Sequence, residues 1–186
     1  MNAQSILHSL VTQAQQRTAD LPRDERGIYG LIDHAGQLRY IGCTTKVAEN
    51  FRKRIHQRHR TGSETHSHYF SKIYNTGRMW RDRLTQRDNT DAKIAKDLRS
   101  AFIAEYCRAV CVPLTLSERE IVGLETTVIA LAPPETTRWN RATSEFYQEP
   151  SDLVDLLVRK LALSREMIAA IERQRTIFEA RFTRNC

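Results

Sequence analysis

Apolar positions recur along this chain in two periods. Ile6, Leu7, Leu10, Val11 and Ala14 fall at helical spacing, which predicts an amphipathic helix within residues 1–21, ended by Pro22. Gly27 to Ile32 is short, apolar and rich in β-formers, and Leu38 to Gly42 resumes the same character. The polar turn Asp33-His34-Ala35-Gly36 between them predicts an antiparallel hairpin. Val47, Phe51 and Ile55 then return to helical spacing after Thr44 or Thr45 as cap. His68 to Tyr74 reads as a short helix stopped near Gly77, and residues 81–100 have only weak helical spacing. Phe102 to Leu114 reads as β-rich, with a buried strand at Ala109–Val112. Ser117 with Glu120 three residues on is a capping box for a helix closed by Pro133 and Pro134. Beyond Pro150, two apolar helical stripes, Leu153 to Leu161 and Met167 to Phe178, predict a C-terminal helical hairpin.

Composition narrows the class. The chain has 186 residues, 40% hydrophobic and 27% charged, a globular balance. No apolar run is long enough to span a membrane, and the N-terminus lacks a secretion pattern, so a cytoplasmic protein is expected. Cys43, Cys107, Cys111 and Cys186 form no CxxC pair; Cys107 and Cys111 are expected on one face of a strand. With His66 and His68 they fit no standard zinc spacing.

Charge changes the picture more. Residues 51–100 hold thirteen basic side chains against five acidic ones, which accounts for the whole net charge of +7. Interleaved with Tyr69, Phe70, Tyr74 and Trp80, these cations suit a phosphate backbone. Arg58, Arg60, Lys72, Arg78, Arg81 and Arg83 are the expected DNA contacts.

Polar groups at the joints of the hairpin–helix–strand–helix order suggest chemistry. Tyr29 and Tyr40 lie in the two hairpin strands, Arg54 in the next helix, Glu125 mid-helix among apolar neighbours, and Asn140 after the proline turn. An arginine matches phosphate geometry with two donors, and a carboxylate can hold a hydrated Mg²⁺. A tyrosine hydroxyl, with a reference pKa of about 10, needs a nearby cation to act as a base. An ion pair between Glu125 and Arg54 is the main structural alternative.

Gly27-Ile28-Tyr29 and Tyr40-Ile41-Gly42, with ten residues between the tyrosines, resemble the signature of the GIY-YIG nuclease family. Phe51-Arg52-Lys53-Arg54-Ile55 resembles its helix motif and selects Arg54, while Gly123-Leu124-Glu125 and Asn140 fit its later positions. The resemblance covers roughly residues 26–142. Three departures stand out: a longer connection from Gly42 to Arg54, Arg58 where a His often follows one helical turn after the Arg, and the long stretch 60–100. His59 is preferred over His56 as the substitute.

The resemblance implies an α/β (α+β) fold: a three-stranded antiparallel sheet flanked by helices. The implied organisation is an N-terminal helix (1–25), a nuclease core (26–145) with a basic insertion at about 60–100, and a helical extension (146–186). It implies a DNA endonuclease with Mg²⁺ or Mn²⁺ on Glu125, and Tyr29, Tyr40, Arg54, His59, Glu125 and Asn140 as site residues. Without a separate DNA-binding domain, a restriction-type or stand-alone enzyme is favoured, dimeric through its terminal helices. A structure-selective repair or mobile-element nuclease is the alternative, followed by a non-catalytic DNA-binding module.

Overall fold

A computed structural model describes residues 1–46, 48–64, 68–81, 90–140 and 147–182. The expected positions Val47, His66 and Arg83 lie outside the described residues. The fold is mixed α/β, and the chain divides into two compact units.

The first unit comprises Met1–His59 and Ala104–Thr143. Its strands are β1 (Gln16–Arg17), β2 (Gly27–Ile32), β3 (Leu38–Thr44) and β4 (Arg108–Pro113). They form one antiparallel sheet in the order β1-β4-β2-β3. The sheet therefore has four strands, not the expected three. The extra one arises because helix α1 (Ala3–Thr12) stops early. Past Gln13 the polar run offers the core nothing to bury, so the backbone pairs instead with the free edge of β4 through Gln16↔Ala109 and Arg17↔Arg108. Asn2 and Ser5 cap α1 reciprocally.

Side chains alternate across the sheet. On one face Ile28, Ile32, Ile41, Val110 and Val112 join Ala3, Ile6 and Leu10 of α1, and Ile121 and Val128 of helix α4 (Glu118–Leu131), in a single core cluster. On the other face Tyr29 sits opposite Gly42, and Leu31 opposite Tyr40. Gly27 has a φ of 148°, and a Cβ there would lie 2.2 Å from the Val112 carbonyl oxygen. Only glycine lets β2 start so close to β4.

α4 begins as expected: Ser117 and Glu120 form the capping box. The stretch 102–106 does not extend as β structure. Phe102 and Ile103 belong to helix α3 (Thr90–Tyr106), whose buried stripe is Ala92, Ala95, Leu98, Arg99, Phe102 and Ile103. The strand starts only at Arg108, so Cys107 precedes it and does not share a strand face with Cys111.

The second unit comprises Arg60–Ile103 and Ser144–Cys186. It holds the short helix α2 (Tyr69–Ile73), most of α3, α5 (Ser151–Lys160) and α6 (Arg165–Phe182). α5 ends through Ala162, at a φ of 49°. Aromatic contacts link Tyr74 to Phe102 and Tyr147, and Trp80 to Phe178 and Phe182.

Three of its arginines are used internally. Arg99 is fully buried, donates to Asn75 Oδ1, the Met79 carbonyl and Glu64, and is pulled down to about 10 by burial, against the pull of Glu64. Arg81 pairs with the same Glu64 at 3.0 Å. Arg78 is buried between Glu149 (2.7 Å) and Asp155 (2.5 Å). A buried guanidinium is tolerable only when paired and hydrogen-bonded, which these are. Arg78 and Arg81, two of the expected DNA contacts, are thus paired internally with little of either side chain exposed.

Among the described residues no helix is long and apolar enough to cross a membrane.

Candidate active site

Four consecutive residues of β3 gather the predicted site. β3 is the edge strand beyond β2, so its outer backbone groups need partners from elsewhere. Asn140 supplies them. Its Oδ1 accepts from the Ile41 amide at 3.0 Å, and its Nδ2 donates to the Ile41 carbonyl at 2.6 Å. Asn140 thus fixes the strand at the residue after Tyr40 and acts through the backbone. Replacing Asn140 by Ala is expected to destabilise the protein by about 1–3 kcal/mol, because both Ile41 groups lose their partner. Denaturant unfolding reads this directly.

Gly42 clears space for Tyr29. A Cβ at Gly42 would stand 2.8 Å from the Tyr29 hydroxyl oxygen and 2.5 Å from a Tyr40 ring carbon. The second glycine of the paired triplets is therefore a cavity for the first tyrosine, independent of backbone angle.

Tyr29 is the centre of a hydrogen-bonded chain. Arg54 Nε lies 3.3 Å from its hydroxyl oxygen, and His59 Nε2 lies 2.7 Å from it. Arg54 Nε can only donate, so the Tyr29 oxygen accepts there, and its own proton is available to His59 Nε2 when that nitrogen is unprotonated. Tyr29 and His59 are both fully buried. The Tyr40 ring packs against both, with centroids 6.1 Å and 5.7 Å away.

A π-helical segment, Lys53–His59, explains how His59 reaches this position. In an α-helix the residue facing the same way as Arg54 would be Arg58, four later. Winding with i→i+5 bonds moves that place to the fifth residue, which is His59. Phe51 and Ile55, both fully buried, anchor this stretch to the sheet. Arg58 turns outward, is 47% exposed, and pairs with Glu49 at 2.5 Å. His56 is tied instead to Thr18 Oγ1 at 2.9 Å.

The electrostatics sharpen the roles. Burial lifts the Tyr29 hydroxyl well above its usual range; Arg54 pulls it down, while Glu125 and Cys43 push it further up. The cation is present as required, but burial wins, so Tyr29 is a neutral donor at physiological pH. Burial disfavours the Arg54 charge, but Tyr29, Glu49 and Tyr40 together hold its guanidinium above the ordinary value.

Glu125 sits four residues after Ile121 on α4, at the margin of the buried stripe rather than within it. It is half-buried, and its Oε2 accepts from the Cys43 thiol at 3.0 Å. The ion-pair alternative is not what forms: the carboxylate beside Arg54 belongs to Glu49, at 3.5 Å. Burial first, and then the hydrogen bond to Glu125, push the Cys43 thiol up to about 12.

Glu49 and Cys43 were not singled out from the sequence. Cys43 had one legible signal: it continues the period of Ile41, toward the face that α4 covers. Glu49 had none, because its pairing depends on the connection preceding the π-helix.

Among the described residues no cluster of three or more His, Cys, Asp and Glu side chains forms a ready metal cage, and Cys43 and Cys111 are free thiols. A hydrated Mg²⁺ does not need such a cage. It is commonly held by one or two carboxylates, several waters and substrate phosphates. Glu125, half-buried and hydrogen-bonded only to a neutral thiol on one oxygen, fits that donor set. Of the expected DNA contacts, Arg58 remains partly exposed beside this site, and Arg60 and Lys72 are half-buried in the second unit.

No family model, curated protein or solved structure matches this chain.

Proposed function

We propose that this protein is a GIY-YIG-like endonuclease that hydrolyses DNA phosphodiester bonds with a divalent metal ion. The observation that carries the reading is the hydrogen-bonded chain Arg54–Tyr29–His59, with Glu125 brought to the neighbouring Cys43. Burying a tyrosine hydroxyl, an imidazole and a guanidinium together is costly for a purely structural purpose.

Tyr29 orients the attacking water. As the water's proton moves to the Tyr29 oxygen, the Tyr29 proton passes to His59 Nε2, so no free phenolate is required. Arg54, one-fifth exposed and held above its ordinary pKa, offers its guanidinium to the scissile phosphate. Tyr40 packs the other side of the chain and borders the phosphate. Glu125 would hold Mg²⁺ or Mn²⁺, which when bound supplies charge stabilisation at the leaving oxygen. Asn140 keeps β3 in place behind these groups.

A restriction-type enzyme cuts both strands, which suits a homodimer through the terminal helices. Leu156, Leu161, Ile168 and Ile177, on and between α5 and α6, are 37–50% exposed and are the surface such a dimer would use. A cytoplasmic location goes with this role. The runner-up role is a structure-selective repair or mobile-element nuclease.

The test is incubation of plasmid DNA with Mg²⁺, with Mn²⁺ and with chelator. Discrete fragments that vanish with chelator are expected. A metal-dependent smear, or preference for branched DNA, would favour the runner-up. Binding of plasmid and branched DNA without cleavage would replace both with a non-catalytic binding module.

A further inference from the structure

We infer that Cys43 is a positioning residue for the metal-binding carboxylate, a role that rests on the nuclease reading above. The Cys43 sulfur lies 3.0 Å from Glu125 Oε2, and both groups are half-buried. A carboxylate can only accept, so the thiol donates. That bond occupies one carboxylate oxygen and leaves Oε1 free for a cation. It also fixes the carboxylate plane, which on a half-buried helix position would otherwise rotate.

The placement is built from rigid parts. Cys43 is paired with Ile28 in the β2–β3 ladder, and its neighbour Gly42 faces Tyr29. Two residues back, Ile41 is clamped by Asn140. A single strand thus sets the distance between the tyrosine side of the site and the carboxylate side. The thiol carries that constraint across the gap from sheet to helix. A thiol donates a hydrogen bond to Glu125 without bringing the positive charge that Lys or Arg would.

The test compares Cys43→Ser, which keeps a donor, with Cys43→Ala, which removes it. Mn²⁺ binding to the full-length protein without DNA is followed by electron paramagnetic resonance, with Glu125→Ala as reference. The Mn²⁺ dependence of plasmid cleavage is measured in parallel, and thermal unfolding checks that each variant folds. Cys43→Ser is expected to bind Mn²⁺ within about twofold of the parent. Cys43→Ala is expected to weaken binding by about 10-fold, in the range seen when a ligand's hydrogen-bond partner is removed. The Mn²⁺ concentration for half-maximal cleavage should rise in step, with a smaller change in the rate at saturating metal.

Equal Mn²⁺ affinity in Cys43→Ala and the parent would overturn the role. So would equal loss in both variants, since a donor would then not be what matters. Mn²⁺ binding that survives in Glu125→Ala would overturn it as well. The two readings separate cleanly: if the parent binds Mn²⁺ through Glu125 but never cleaves DNA, the nuclease reading fails while the positioning role is still decided by the binding data.

Discussion

Replacing Glu125 by Ala is expected to lower metal-dependent cleavage by about 10³-fold or more, because in the proposed mechanism a single carboxylate carries the protein's share of the metal site. The stability cost should be small. Glu125 is half-buried, and its one side-chain partner is the Cys43 thiol, so the loss is about 0.5–1.5 kcal/mol, one ordinary hydrogen bond. This contrast is what makes the variant informative. Glu125→Gln sharpens it further, since the amide oxygen still accepts from Cys43 but brings no negative charge. Both variants should be inactive, and both should unfold within a few degrees of the parent. Plasmid cleavage rates and thermal unfolding, measured side by side, check this. Cleavage at the parental rate in either variant removes Glu125 from the site.

Tyr29→Phe is expected to damage both activity and stability. The ring is kept, so the packing against Tyr40, Phe51 and His59 survives. What is lost is one buried oxygen with two partners. His59 Nε2 loses its hydrogen-bond partner and Arg54 Nε its acceptor, beside the buried Tyr29 ring. Leaving such groups unsatisfied costs about 1–3 kcal/mol. Losing the group that relays the water's proton should cost a further factor of about 10²–10⁴ in cleavage rate. Denaturant unfolding gives the first number, and single-turnover cleavage at saturating metal gives the second. A Tyr29→Phe protein that is as stable as the parent would contradict the hydrogen-bonded chain itself. One that is destabilised but fully active would leave the chain a structural device and move the proton transfer elsewhere.

These two substitutions probe opposite faces of β3, at adjacent residues. Gly42 opens the pocket for the Tyr29 hydroxyl, and Cys43 meets Glu125. The order Tyr40-Ile41-Gly42-Cys43 therefore carries four separate constraints: ring packing, backbone clamping, clearance and carboxylate contact. The alternation of a strand assigns them in turn to opposite faces.

Much of this was legible in the sequence because it is local. The β2–β3 hairpin follows from its apolar runs and polar turn, and the start of α4 from Ser117 and Glu120. The helices α5 and α6 follow from their apolar spacing. Tyr29, Arg54 and His59 were each identifiable as polar groups in or beside such elements. Their convergence was not. The π-helical turn that makes His59 rather than Arg58 the partner of Tyr29 depends on the one-residue difference between i→i+4 and i→i+5 winding. Nothing in residues 53–59 announces that choice; it is made by burying Phe51, Ile55 and His59 together against the sheet.

Long-range pairing limited the rest. The helical stripe of α3 was hidden because Arg99, a charge, stands within it, and only a carboxylate 35 positions away makes that burial tolerable. Arg78 reads as an exposed cation until Glu149 and Asp155, 71 and 77 positions on, enclose it. Sequence by itself determined the periodic elements and the capping box of α4, because each rests on neighbours a few residues apart. Tertiary structure alone decided which charges face inward, which histidine meets Tyr29 and which partner Glu125 meets, because those depend on desolvation and on contacts between segments distant along the chain.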